Sequence, residues 1–133
     1  MAINKEALRW VALGGALGAA ARYGVTLFFQ QSGTIGFPVE VVVVNILGSL
    51  YLGLVAGLVH QRIWPVRRLW LHGAGFAGAL TTFSTFAMSA VELMQQHEYA
   101  RVAGFILTQV GVGLVLCYSV MCLVKAWTTK ASR

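Results

Sequence analysis

Long apolar runs separated by short polar stretches dominate this chain, and the pattern predicts four membrane-spanning helices. A helix needs roughly 20 apolar residues to cross about 30 Å of hydrocarbon. Four segments meet this requirement: 8–29, 39–59, 69–94 and 102–124. Because the joining segments are short, consecutive helices should run antiparallel and pack together. The pattern therefore predicts a single all-α transmembrane domain over residues 1–133.

The placement of charged residues assigns the two sides of this domain. With 58% hydrophobic and 11% charged residues, the composition is that of a polytopic membrane protein. Four spans put both termini and the segment between spans two and three on one side, which collects eight basic residues: Lys5, Arg9, Arg62, Arg67, Arg68, Lys125, Lys130 and Arg133. The opposite side has Arg101 as its basic residue. The positive-inside rule then predicts cytoplasmic termini, and this placement favours topology anchors over a nucleic-acid surface.

The third span is unusually polar at its centre. Residues 75–86 contain two glycines, four hydroxyl side chains and three phenylalanines. Glycine weakens a helix by about 1 kcal/mol relative to alanine, so the helix should be weakened around Gly78, and we expect the third helix to be broken in mid-membrane. Broken membrane helices are typical of transport proteins, where unwound carbonyls coordinate cations and helix N-termini attract anions. Phe83 and Phe86 either pack as ordinary bulk or offer positive ring edges to an anion.

Other polar residues in the spans permit two interpretations each. Asn45 either bonds a neighbouring helix or donates its amide to an anion, and Gln109 should face the bundle or an aqueous path. Gly14 and Gly18 share one face of the first span with Arg22, so another backbone could approach closely there. Arg22 either extends to the interface or supplies a cation at the vestibule of an anion path.

The sequence gives almost no support for catalysis. It has no His, Cys, Asp and Glu cluster with metal-ligand spacing, no pairing of a nucleophile with a base, and no carboxylate in mid-span. We therefore expect a protein that is not an enzyme.

Three motifs together resemble the Fluc/CrcB family of fluoride channels over most of the chain. They are Gly14-Gly15-x-x-Gly18-Ala19-x-x-Arg22-Tyr23, Val44-Asn45-x-x-Gly48-x-x-x-x-Gly53 and Gly75-Phe76-x-Gly78-x-x-Thr81-Thr82-Phe83-Ser84-Thr85-Phe86. The third motif is highly specific, whereas the glycine patterns alone are not.

The resemblance implies a fluoride-selective channel in the bacterial inner membrane, which lowers cytoplasmic fluoride by passive export. It implies an antiparallel, dual-topology dimer with two fluoride paths at its interface. Backbone carbonyls of Gly78 and Thr81 from both subunits would hold a structural Na⁺. The fluoride path would include Asn45, Phe83, Ser84, Thr85, Phe86 and Gln109, with Arg22 at the vestibule. Such a path suits fluoride because modest donors can replace its water without trapping it.

Departures from the family pattern leave the assembly open. Glu40-Val41 replaces the usual Gly-Thr, Ala87-Met88-Ser89 replaces Ser-x-Glu, and Gly113 supplies no hydroxyl. The charge bias of eight to one also disfavours an antiparallel homodimer, so the partner is either a second copy or an inverted paralogue. Two other functions compete: a small proton-coupled multidrug-type exporter, which would need a carboxylate in the first span, and a non-conducting membrane subunit.

Overall fold

The architecture is a bundle of helices, seen in a computed structural model that describes residues 4–31 and 37–131. Helix α1 spans Lys5–Gln31 and α2 spans Val39–His60. The third span has two halves. Helix α3 (69–80) is a π-helix over Leu69–Ala77 and an α-helix over Gly78–Leu80, and α4 covers Phe83–Gln95. Helix α5 (99–131) is α-helical at Tyr99–Ile106 and Gly113–Ala131, with a π-helical segment at Leu107–Val112 between them.

Within residues 4–31 and 37–131, four helical stretches are long and apolar enough to cross a membrane, which agrees with the expected number of spans. The first and fourth are longer than predicted, at Lys5–Gln30 and Tyr99–Lys130. The predicted bounds are shorter because polar residues at helix ends, such as those of α1, do not extend the apolar runs that set these bounds. Helix α1 begins where it does because the Asn4 side chain accepts hydrogen bonds from the backbone N–H groups of Glu6 (3.1 Å) and Ala7 (3.2 Å). Arg133, one of the predicted anchors, lies outside the described residues.

Glycines let α1 lie directly on α3. A Cβ added at Gly14 would collide with the Leu71 carbonyl, and one at Gly18 would collide with the Phe76 carbonyl. The expected close approach along this face of the first span is therefore confirmed. Only glycine allows two backbones to meet at this distance, so the Gly14 and Gly18 positions fix the height of α1 against the third span.

A second small-residue contact joins α2 to α5. A Cβ at Gly53 would overlap the backbone of Cys117, and one at Gly57 would lie 3.0 Å from Cβ of Val124. In the same contact, toward the start of α2, Gly113 faces Ser49, whose Oγ would be 3.2 Å from a Cβ added at Gly113. The two glycine contacts thus pack α1 against α3 and α2 against α5. The centre of the third span faces α2, where Gly48 meets Thr81.

The apolar core is small and lies near the start of α2. Its buried members are Val41, Leu93, Val102 and Phe105, with Phe37, Val42, Phe86 and Ala90 packed against them. Elsewhere many large apolar side chains face outward, among them Leu107 at 69% and Leu114 at 70% exposed. Apolar surface of this extent is what lipid or another subunit covers, so the chain is a multi-pass membrane protein.

Candidate functional site

The third span is interrupted at Thr81 and Thr82. Both residues have extended backbone, with φ −75° and ψ 159° at Thr81 and φ −143° and ψ 120° at Thr82. The expected break in mid-membrane is therefore confirmed, although Gly78 itself stays helical with φ −63° and ψ −31°. The helix ends two residues later, at Leu80, and the side chain of Asn45 from α2 forms hydrogen bonds with the backbone of Thr82.

Asn45 holds this break in place. Its Oδ1 accepts the backbone N–H of Thr82 at 2.8 Å, and its Nδ2 donates to the Thr82 carbonyl at 3.1 Å. The asparagine amide thereby satisfies the donor and the acceptor of one unwound residue, as a neighbouring strand would. Backbone that leaves a helix inside a membrane needs such partners, and Asn45 supplies them from a position 37 residues earlier in the chain.

The last carbonyl groups before the break lose their helical donors, and those of Gly78 and Thr81 are two of them. In an unbroken helix, the Thr82 N–H would donate to the Gly78 carbonyl, but it donates to Asn45 instead. Likewise, the Thr85 N–H donates to the Thr82 hydroxyl at 3.2 Å rather than to the Thr81 carbonyl. The Thr82 hydroxyl acts here as the N-cap of α4. The carbonyls of Gly78 and Thr81 are therefore available to another partner.

A groove of about 550 Å³ lies beside the break. It is lined by residues of α2, α3, α4 and α5, including Asn45, Ser49, Gly78, Thr81, Thr82, Phe83, Phe86 and Gln109. None of its lining residues is ionisable. Its polar groups are amides, hydroxyls and backbone, so the groove can solvate an ion only with dipoles.

Gln109 is the least satisfied residue in this groove. Its Oε1 and Nε2 are both buried, and neither forms a hydrogen bond with any described residue. Leaving a buried polar group unpaired costs about 1–3 kcal/mol. The side chain extends from the π-helical segment Leu107–Val112, a kind of distortion that is frequent at functional sites. The amide of Gln109 therefore has two donors and an acceptor that no described residue uses.

Phe83 and Phe86 both line the groove but differ in their surroundings. Phe83 is 79% exposed. Phe86 packs on the core, with its ring centroid 5.2 Å from that of Phe105 and 5.7 Å from that of Phe83. Phe105 in turn stands 5.7 Å from Phe37 in an edge-to-face pair. Phe86 thus contributes to core packing as well as lining the groove, whereas Phe83 contacts Phe86 and is largely exposed.

Three other predicted site residues lie outside the groove lining. Ser84 and Thr85 are exposed in the first turn of α4, where the Thr82 hydroxyl donates to Thr85 Oγ1 at 2.9 Å and lies 3.4 Å from Ser84 Oγ. Arg22 is half-buried on α1, one turn beyond Gly18, and its carbonyl accepts from the Thr26 hydroxyl at 3.2 Å. Within one chain, the structure does not bring these three side chains to the Asn45 groove.

Sequence reasoning missed the central role of Thr82. It makes both backbone bonds to Asn45 and caps α4, and its side chain is buried. A signal was present, because a threonine immediately before an apolar helix is typical of an N-cap. Phe105 was also missed. No local pattern marks it, since it matters only through its tertiary neighbours.

Comparisons with known proteins agree with this arrangement. The family model for "CrcB-like protein, Camphor Resistance (CrcB)" matches residues 9–121. The chain is 40% identical over 114 residues to the fluoride-specific ion channel FluC of Idiomarina loihiensis, covering 85% of this chain and 88% of the relative. The proteins of the same name from Nitratidesulfovibrio vulgaris and Aliivibrio salmonicida are 42% identical over 110 residues and 40% over 122. These alignments cover 81% and 90% of this chain and 88% and 95% of the relatives. On these matches and the broken third span they include, the chain belongs to the CrcB family.

Proposed function

We propose that this chain is the subunit of a fluoride-selective channel that lets fluoride leave the cytoplasm passively. The observation that carries the proposal is the groove at the Asn45–Thr82 break, whose lining has polar donors and no ionisable group. Fluoride holds its water tightly, so a path must offer donors in place of water without a fixed charge that would retain the ion. The relatives named above carry fluoride-specific channel activity in their names.

The donors of the path come from two side-chain amides. An asparagine amide has two N–H donors. One of those of Asn45 is used on the Thr82 carbonyl, which leaves the second for fluoride. Both donors of Gln109 lack a partner among the described residues. Phe83 and Phe86 add ring edges, which carry partial positive charge. Ser84 and Thr85 extend the path beyond the groove, and Arg22 supplies positive potential at its vestibule.

A second subunit in the opposite orientation completes the site in this proposal. The buried, unpaired Gln109 and the exposed Phe83 both support a missing cover over the groove. A Cβ at Gly78 would meet nothing closer than 3.7 Å within the chain, so this glycine leaves space at the surface. The eight-to-one basic bias between the two sides favours an inverted paralogue over a second copy of this chain, with the termini of this chain in the cytoplasm and the dimer in the inner membrane.

The same interface would hold a structural Na⁺ ion. The carbonyls of Gly78 and Thr81, whose helical donors are used elsewhere, fit such an ion because unwound carbonyls are the groups that bind Na⁺ in membrane proteins. Two subunits together would supply four oxygens. The ion would fix the two breaks against each other and leave the amides free to face the fluoride paths.

Fluoride flux from proteoliposomes tests the proposed function. The protein is reconstituted alone and with its inverted paralogue where the genome supplies one, and fluoride and chloride efflux are recorded with and without a proton gradient. We expect fluoride efflux that does not depend on the proton gradient, with little chloride efflux. Efflux driven by protons would support the exporter, and no efflux in either preparation would leave only the non-conducting subunit.

One variant pair assigns that flux to the groove. Gln109→Met keeps the length of the side chain and removes both polar atoms, so we expect a large loss of fluoride efflux. Thr108→Val changes the neighbouring residue, which does not line the groove, and should leave efflux unchanged. Equal efflux from the two variants would show that the ion passes elsewhere. Cysteine crosslinking of protein expressed alone tests the partner, because antiparallel homodimers would rule out a strict need for a paralogue.

A further inference from the structure

A second cavity, of about 280 Å³, lies at the end of the bundle where α2 begins. Glu40, in the first turn of α2, and Glu92, near the end of α4, both line it. Gln96 adds an amide, and Phe37 forms part of the apolar wall. This cavity is separate from the Asn45 groove, and the two share no lining residue.

No basic residue lines the cavity to balance the two carboxylates. Arg101 stands at the same end of the bundle but pairs with Glu98, its Nη1 lying 3.5 Å from Glu98 Oε1. Among the described residues, neither Glu40 nor Glu92 forms an ion pair.

Ser89 supplies the second observation that indicates a ligand. The residue lines this cavity and is 7% exposed, so it is more than nine-tenths buried. A serine hydroxyl inside a helix usually bonds a carbonyl three or four residues earlier. That of Ser89 forms no hydrogen bond with any described residue, whereas Thr26 and Thr81 both bond the carbonyl four residues before them. The Ser89 oxygen therefore remains available to something within the cavity.

We propose that this cavity binds a hard divalent cation, with the carboxylates of Glu40 and Glu92 and the hydroxyl of Ser89 as its ligands. Carboxylate, hydroxyl and amide oxygens are the ligands that such cations prefer. Calcium suits the cavity better than magnesium, because ligands from two different helices form an irregular shell and magnesium demands near-ideal octahedral geometry. With two charged ligands, we expect a dissociation constant of roughly 0.1–1 mM, the range of weak extracellular calcium sites.

Binding of a cation in this cavity does not depend on the proposed function. Only the effect of the bound cation on fluoride transport rests on the proposed function. Ser89 follows Phe86 by one helical turn, and Phe37 lines the cavity while its ring contacts Phe105, the neighbour of Phe86. A cation held there would neutralise two carboxylates close to the aromatic end of the groove, where they would otherwise repel an anion.

Calcium binding to the purified full-length protein tests the inference. Binding of ⁴⁵Ca²⁺ is measured by equilibrium dialysis in detergent without fluoride, since calcium fluoride is sparingly soluble, and is repeated with magnesium as competitor. We expect saturable binding that Glu40→Gln and Glu92→Gln each weaken at least about tenfold, because the charge of the ligands sets affinity. Ser89→Ala should weaken binding less, and Glu98→Gln, whose carboxylate does not line the cavity, should leave it unchanged.

Each result decides for or against the site. No saturable binding, binding that Glu40→Gln and Glu92→Gln both leave intact, or equal loss in Glu98→Gln overturns the proposal. Glu40→Gln and Glu92→Gln lie on different helices, so misfolding of one variant leaves the other as a test. Fluoride efflux is recorded separately with calcium-free protein. Efflux without calcium binding would refute only this inference, and calcium binding without efflux would refute only the proposed channel.

Discussion

Replacing Asn45 by alanine removes the two hydrogen bonds that join α2 to Thr82 at the break of the third span. The change deletes the acceptor 2.8 Å from the Thr82 N–H and the donor 3.1 Å from the Thr82 carbonyl. Each buried group left unpaired costs about 1–3 kcal/mol, so the pair sums to about 2–6 kcal/mol. Because the site is only partly buried, we expect the lower part of this range, about 2–4 kcal/mol. This corresponds to a change of about 30-fold to 1,000-fold in the unfolding equilibrium.

The measurement is the free energy of unfolding in mixed micelles, in which dodecyl maltoside is titrated with dodecyl sulfate and the four tryptophans report by fluorescence. Ser49→Ala is the matched control. Ser49 lies one turn further along α2 and lines the same groove, but it forms no hydrogen bond with another described residue. We expect its unfolding free energy to change by less than about 0.5 kcal/mol. A loss of less than about 0.5 kcal/mol for Asn45→Ala, or equal losses in both variants, would refute a stabilising role of the Asn45–Thr82 hydrogen bonds.

Three further changes test other parts of the structure by the same unfolding measurement. Thr82→Val removes the N-cap of α4 and should cost about 1 kcal/mol, whereas Thr82→Ser keeps the cap; equal stability of the two variants would contradict the cap. Gly18→Leu puts a side chain into the Phe76 carbonyl and should cost at least about 1–3 kcal/mol, while Gly15→Leu points into open space and should be neutral; a neutral Gly18→Leu would contradict the contact. Phe86→Ala should cost up to about 3 kcal/mol because Phe86 packs on the core; Phe83→Ala should cost far less but reduce fluoride efflux, and the opposite ranking would contradict their placement.

Part of the site could be predicted because it depends on local chemistry. Glycine and hydroxyl residues in an apolar span predict a break without any tertiary information, and the break exists. Its position did not follow from propensity, however. Gly78 stays helical, and the chain unwinds at Thr81 and Thr82. The cost of a glycine within a helix, about 1 kcal/mol, is smaller than the gain from two hydrogen bonds to Asn45, so the tertiary partner decided where the helix ends.

The sequence by itself determined the number of spans and the close approach of α1 at Gly14 and Gly18. These follow from the length of apolar runs, the size of single residues and the chemistry of side chains, all of which are properties of neighbouring residues. Only the tertiary structure decided that Asn45 bonds Thr82 across 37 positions and that Gln109 is buried without a partner. Glu40 and Ser89 share a cavity for the same reason. Such pairings depend on how helices cross, and packing of distant segments sets that geometry.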